Sequence, residues 1–146
     1  MQLSSNDSVS LAARALGCSG LLPFIGGALA VSVGPAAWHD AARRALIAYG
    51  AVIVSFLGGI HWGFALRQAA PPAALFAWGV VPSLVAWVGV TMPAYAGLVV
   101  NGVMLVVCYL VDRRVYPAQG AAAWLTLRFR LSAIASLSCF LAAAAT

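Results

Sequence analysis

The chain has 146 residues, of which 64% are hydrophobic and 8% are charged, and its formal net charge is +5. Soluble domains carry about 25% charged residues, so this composition excludes a water-soluble globular protein and predicts a single all-α membrane domain over residues 1–146. The eight basic residues are all arginine and are spread along the chain, which is typical of a membrane surface and unlike the concentrated basic face that binds nucleic acid.

Five apolar blocks have about the 20 residues that a transmembrane helix requires. Charges and proline or glycine breaks delimit them, and they cover approximately residues 15–34, 45–66, 73–91, 94–111 and 128–145. None alternates apolar and polar residues as a barrel strand does, so the pattern predicts a bundle of five transmembrane helices. The fifth block is long enough only if Arg128 and Arg130 extend to the membrane surface at its start, and an interfacial segment over residues 121–129 is the alternative.

The first block also resembles a signal peptide, because Ala28-Leu29-Ala30 has the small residues of a cleavage site. Glycines and Pro23 interrupt its apolar core, however, so we expect it to be retained as a span. The amino-terminal segment has no arginine-rich transit pattern, which favours a bacterial inner membrane over a mitochondrial one.

The distribution of arginines predicts the orientation. Five spans place Arg14, Arg67, Arg113, Arg114, Arg128 and Arg130 on one side of the membrane and only Arg43 and Arg44 on the other. Because loops on the cytoplasmic side carry the excess of basic residues, the amino terminus is predicted to be cytoplasmic and the carboxyl terminus periplasmic.

Two stripes run along the second predicted span. Small residues recur at every fourth position, in the series Ala51, Ser55, Gly59 and Gly63. Such a series allows another backbone to approach closely, so it predicts a helix-packing seam. His61 lies on the other side of the helix, on the stripe of Gly50, Val54 and Leu57. The second span is therefore expected to be the central helix of the bundle.

His61 is a candidate functional residue because an ionisable side chain within a span is costly to bury. The alternative is that a neutral imidazole bonds a neighbouring carbonyl or hydroxyl and holds two helices together. In the third span, Pro82 is predicted to kink the helix.

The fourth span predicts a polar stripe from Asn101 to Asp112, and Asp112 lies at the depth of His61. The candidate polar site consists of His61, Trp62, Asn101, Asp112, Arg113 and Arg128. Its arginines are suited to an anion or a lipid headgroup. The alternative is that Asp112 neutralises an arginine at a helix end. Tyr116 is predicted to be an interfacial anchor.

The string Ser55-Phe56-Leu57-Gly58-Gly59-Ile60-His61-Trp62-Gly63 is the most distinctive part of the sequence. With Leu22-Pro23-Phe24, Asp112-Arg113-Arg114 and Leu127-Arg128 followed by Leu131-Ser132, it resembles the domain of unknown function 3429 family, which includes the transmembrane protein 69-like proteins of bacteria and mitochondria. That family tends to have threonine where this chain has Ser132. The resemblance implies a multi-pass membrane protein and supplies no reaction.

Catalysis and metal binding have little support in the sequence. His39, the other histidine, falls in a loop on the opposite side from His61, so the two cannot share a metal ion or a haem. We therefore predict no metal, no cofactor and no catalytic residue. The first hypothesis is a noncatalytic accessory, assembly or scaffold component that contacts lipids and forms a homo-oligomer or joins a larger complex. The alternative is a small transporter, or a lipid- or quinone-binding protein, that uses the cluster around His61 and Asp112.

Overall fold

The computed structural model describes residues 9–145, and within them it contains six α-helices and three short 3-10 turns. The helices are α1 (Leu11–Ser19), α2 (Leu22–Val33), α3 (His39–Leu66), α4 (Ala73–Thr91), α5 (Ala94–Val115) and α6 (Leu125–Ala144). Together α1 and α2 form one span, and each of the other helices forms one more. The predicted all-α fold with five segments long and apolar enough to cross a membrane is confirmed.

The first span is two helices, although the sequence predicts one continuous block. Pro23 is the physical reason, because it has no backbone N–H and its ring excludes the carbonyl four residues earlier from a helical position. A proline is tolerated within the first turn of a helix, and Pro23 is the second residue of α2. The Tyr49 hydroxyl donates a hydrogen bond to the Gly20 carbonyl oxygen at 2.9 Å. This bond supplies a partner for a backbone carbonyl group between α1 and α2.

The second span begins earlier than predicted. After a 3-10 turn at Ala36–Trp38, α3 starts at His39, so Arg43 and Arg44 belong to the helix itself. Asp40 lies in its first turn, where a negative charge interacts favourably with the helix dipole.

Packing places α3 and α5 at the centre of the bundle. α3 packs against α2, α4 and α5, while α5 packs against α3, α4 and α6, and α6 also contacts α2. A loop of only two residues, Met92 and Pro93, makes α4 and α5 antiparallel neighbours. The prediction that the second span is central agrees with these contacts.

The two ends of the bundle are identified by hydrogen bonds between segments that are distant in sequence. Gln68 Nε2 donates to Gln119 Oε1 at 2.9 Å, which joins the loops at residues 67–72 and 116–124; we call this the Arg67 end. At the opposite end, the Arg43 guanidinium donates to the Ala145 carbonyl at 3.4 Å; we call this the Arg43 end.

The Gly59 and Gly63 part of the predicted seam on α3 does not pack against another described helix, whereas Ala51 is buried in the core. A Cβ built on Gly59 or Gly63 would have no atom within 4 Å. The close contact is made by the neighbouring stripe, where a Cβ on Gly58 would lie 2.7 Å from the Gly79 carbonyl oxygen of α4. That Ala51, Ser55, Gly59 and Gly63 together form a helix-packing seam stays a prediction.

Pro82 lies within α4, which continues from Ala73 to Thr91. Its ring packs beside Gly58 of α3, since a Cβ there would lie 3.1 Å from the Pro82 Cγ atom. The absence of a side chain at Gly58 therefore makes room for the proline. A kink at this position stays a prediction.

Candidate functional site

Asp112 is the centre of a buried polar cluster near the Arg67 end. It lies one turn before the end of α5, and its side chain has no exposed surface. A buried carboxylate is costly unless other groups hydrogen-bond to it or balance its charge. Two other helices supply those groups, Arg128 from α6 and His61 from α3. The cluster therefore connects three of the spans.

Arg128 binds one oxygen of this carboxylate. Its Nε and Nη2 atoms both donate to Asp112 Oδ2, at 2.9 and 2.6 Å, and its Nη1 donates to Ser132 Oγ at 3.4 Å. The Arg128 side chain is 9% exposed. The expectation that Arg128 extends to the membrane surface is therefore wrong: a carboxylate inside the bundle offers the guanidinium a stronger partner than the interface does.

His61 faces the other oxygen. Its Nε2 atom lies 3.5 Å from Asp112 Oδ1, and its Nδ1 atom lies 3.4 Å from the Leu57 carbonyl oxygen. Neither His61 Nε2 nor Asp112 Oδ1 makes a hydrogen bond within the described part of the chain. A proton between these two atoms would create a charge-assisted hydrogen bond. The pair is therefore able to share a proton. His61 also links α3 to α5, and both interpretations of its role stay predictions.

Three aromatic rings surround the imidazole. The ring centroids of Phe64, Trp78 and Tyr116 lie 6.1, 6.5 and 6.3 Å from that of His61. Tyr116 is only 3% exposed, so its predicted role as an interfacial anchor is wrong. Burial, and then the nearby Asp112 carboxylate, raise the pKa of Tyr116 to about 12. Its hydroxyl is protonated at neutral pH, as in any tyrosine, and interacts with Asp112 and Arg128.

Three residues of the predicted site lie outside this cluster. Trp62 points to another face of α3, where its Nε1 donates to the Phe76 carbonyl at 2.9 Å. Arg113 is exposed, because consecutive residues of a helix point about 100° apart. Asn101 is buried and donates to the Ile47 carbonyl at 2.9 Å. It belongs to the same buried stripe of α5 as Asp112, but three helical turns separate them, about 16 Å along the axis.

Two residues of the cluster were absent from the predicted site. Ser132 follows Arg128 by four residues and Tyr116 follows Asp112 by four, and side chains at this spacing are neighbours on a helix. This spacing can be read from the sequence. It identifies Ser132 and Tyr116 as members of the cluster only once the helices that contact Asp112 and Arg128 are known.

A cavity of about 650 Å³ lies beside the cluster, between α1 and α2 on one side and α3 and α6 on the other. Most of its wall is apolar, with Phe24, Ile53 and Leu131 among the lining residues. The charged, hydroxyl and amide side chains that line it are Arg67, Tyr116, Gln119, Arg128 and Ser132. Arg128 connects the cavity to the cluster, because it lines the one and binds Asp112 in the other. The result is an apolar chamber with a polar end.

The helix α1 forms part of the outer wall of this cavity. Its residues Ala13, Leu16 and Gly17 line the space, yet no residue of α1 is buried. A segment with few buried contacts is held less firmly than the rest of a bundle. Within this wall, α1 therefore has the fewest contacts with the rest of the bundle.

Comparison with known proteins agrees with the fold and with the sequence motifs. The sequence profile of a family described as protein of unknown function (DUF3429) matches residues 9–144. The chain belongs to this family. It is also similar to transmembrane protein 69 of the frog Xenopus tropicalis, with 40% identity over 77 residues, which is 49% of this chain and 29% of the frog protein. The chain thus matches less than a third of the length of that relative. No solved structure matches it significantly.

Membership of the DUF3429 family confirms the resemblance carried by the second-span motif. The motif has a structural explanation at two positions, because Gly58 permits the contact with α4 and His61 faces Asp112. The family description names no activity, so any molecular function of this member is argued from the cavity and the cluster.

Proposed function

We propose that this membrane protein binds an amphiphilic molecule, with the apolar part in the cavity and the polar part near Arg67 and Arg128. The observation that carries the proposal is the cavity itself, which combines an apolar wall with a polar end. Ligand sites commonly have about 300–1,000 Å³ and mostly apolar walls with a few fixed polar groups. A volume of about 650 Å³ lies within that range.

The buried cluster supports the proposal by holding a polar group in place. Asp112 binds Arg128 through two hydrogen bonds, so the guanidinium keeps one position at the cavity wall. A group that is already ordered loses less entropy when a ligand binds. Asp112 acts in this proposal as a positioning residue, and it does not itself line the cavity.

Binding is favoured over transport because the described lining residues do not extend through the membrane. They run from Ile53 and Ala135, near the middle of their helices, to Arg67 and the loop at residues 116–124. None belongs to the Arg43 end. A ligand in this space would therefore enter from the leaflet at the Arg67 end or from the side past α1.

Filling the cavity is expected to abolish binding. The substitution Ile53→Trp places a large ring in the wall, and we expect it to lower the amount of co-purified lipid-like ligand at least about tenfold, equivalent to about 1.4 kcal/mol. The measurement is native mass spectrometry of the protein in a mild nonionic detergent.

The matched control is Val52→Trp, one residue earlier on the same helix. Val52 is 65% exposed and does not line the cavity, so this variant should retain the ligand. Equal retention by both variants, with both correctly folded, would contradict the proposed function.

We propose that the Arg67 end faces the cytoplasm, supported by six arginines on that side against two on the other. Cysteines introduced by Ala70→Cys and Ala36→Cys, in a chain whose native cysteines are replaced, should respond oppositely to a membrane-impermeant maleimide added outside. We expect labelling at position 36 only, and labelling at position 70 only would reverse the orientation. Residence in a bacterial inner membrane stays a prediction, since the frog relative shows that similar chains also occur in a vertebrate.

The accessory, assembly or scaffold role stays a prediction. Gly59 and Gly63 on α3 have no other described helix beside them. These two residues are therefore the candidate contact with a second chain. An amphiphile in the cavity is compatible with such a role.

A further inference from the structure

The electrostatics at the polar end of the cavity select among amphiphiles. Two guanidinium groups line it, Arg67 and Arg128. Among the described residues the carboxylates are Asp112, which binds Arg128, and Asp40, which pairs with Arg43 at the other end. One positive charge at the cavity, that of Arg67, is therefore not balanced by the described part of the chain and is able to attract an anion.

The available hydrogen-bonding groups are mainly donors. A guanidinium has five N–H bonds, and those of Arg128 are only partly used by Asp112 and Ser132. Tyr116 adds a hydroxyl that is protonated at neutral pH and that also interacts with Asp112 and Arg128. The Gln119 Oε1 atom, by contrast, already accepts from Gln68. A headgroup rich in acceptor oxygens fits this set, and guanidinium groups bind carboxylates and phosphates particularly well.

The volume of the cavity favours a ligand with one apolar chain. A methylene group takes up roughly the volume of a water molecule in the liquid, about 30 Å³. A chain of about 16 carbons therefore occupies about 480 Å³. The cavity, with a volume of about 650 Å³, is therefore closer in size to one such chain than to two.

We infer that the ligand is a single-chain lipid with an anionic headgroup, bound with its headgroup at Arg67 and Arg128 and its chain between α2, α3 and α6. This inference rests on the proposed function and adds the chemical class of the ligand. The headgroup occupies the donors that Arg128 does not use for Asp112, so the ion pair stays intact in the complex. Arg67, which is exposed, supplies the charge that Asp112 does not neutralise.

Three probes test the class of ligand on the full chain in a nonionic detergent. Palmitate, at mildly alkaline pH where its carboxyl group is ionised, has both the chain and the charge. Hexadecanol has the same chain without the charge, and acetate has the charge without the chain. Isothermal titration calorimetry should show palmitate binding at least about tenfold tighter than hexadecanol and show no measurable binding of acetate.

Substitution of an arginine then locates the charge. We expect Arg67→Gln to weaken palmitate binding about fivefold to tenfold, within the range of a charge-assisted contact, and to leave hexadecanol binding unchanged. Arg67 is exposed, so this variant should fold. The matched control, Arg44→Gln, removes an exposed arginine at the opposite end and should bind all probes as the unmodified chain does.

The outcomes separate the inference from the proposed function. Equal binding of palmitate and hexadecanol would overturn the anionic headgroup and leave the amphiphile site standing. Binding of acetate as tight as that of palmitate would overturn the single-chain lipid in favour of a simple anion site. If neither long-chain probe binds, or if Ile53→Trp binds palmitate as well as the unmodified chain, the proposed function fails too.

Discussion

Replacement of Asp112 by alanine is expected to destabilise the helix bundle by about 3–5 kcal/mol, the usual cost of removing one partner of a buried ion pair. Arg128 would lose both of its hydrogen bonds to the carboxylate while its side chain remains 9% exposed. No second carboxylate of the described chain is close enough to replace it. The uncompensated guanidinium then favours unfolding, or a rearrangement that brings it to the membrane surface.

Asp40→Ala is the matched control for this prediction. Asp40 also pairs with an arginine, at 3.0 Å from Arg43, but its side chain is 78% exposed. Water and salt screen such pairs, so the loss should be below about 1 kcal/mol. Unfolding can be followed by circular dichroism in detergent, during titration with sodium dodecyl sulfate.

A second substitution distinguishes a lost charge balance from lost packing. Adding Arg128→Met to Asp112→Ala removes the stranded charge and keeps most of the apolar side-chain volume. We expect the double variant to regain more than half of the lost stability, because replacing both partners of a buried pair is often close to neutral. If Asp112→Ala destabilises no more than Asp40→Ala does, the buried pair does not hold the three spans together.

Substitution of two adjacent glycines on α3 is expected to give opposite results. Gly58→Ala places a methyl group 2.7 Å from the Gly79 carbonyl oxygen and 3.1 Å from Pro82 Cγ. Backbone cannot rotate away as a flexible side chain can, so α3 and α4 must separate. Overpacking of this kind costs about 1–3 kcal/mol. Gly59→Ala, which meets no atom within 4 Å, should stabilise the helix by about 0.5–1 kcal/mol because glycine is the weaker helix former.

The same unfolding measurement checks both glycine variants. Equal effects of the two substitutions would contradict the contact between α3 and α4. A loss of stability in Gly59→Ala that depends on protein concentration would instead indicate that the predicted seam packs against a second chain.

The glycine result illustrates what helical periodicity reveals and what it leaves open. Counting at 100° per residue separates the stripe of His61 from that of Gly59 correctly. It does not determine which stripe faces the bundle. In a soluble helix the apolar face marks the inside, but in α3 both faces are apolar or small, because lipid and protein interior are similar solvents for these side chains.

The candidate site shows the same division. His61 and Asp112 were recognisable as ionisable groups at one depth, because the length of a helix determines the depth of each residue. Trp62 and Arg113 lie at the same depth as their neighbours His61 and Asp112, but adjacent helical residues point in different directions. Asn101 shares the stripe of Asp112, as predicted from the sequence, but the distance along the helix separates them.

The sequence by itself determined the five spans, the distribution of arginines between the two ends and the family, since these depend on composition, length and local motifs. Tertiary structure alone decided that Arg128 turns inward to Asp112, that Gly58 rather than Gly59 meets α4, and that a cavity remains beside Arg128. The physical reason is that each of these features depends on the relative placement of helices distant in sequence. When every helix is apolar on all sides, hydrophobicity does not specify that placement; close packing and a few buried polar contacts do.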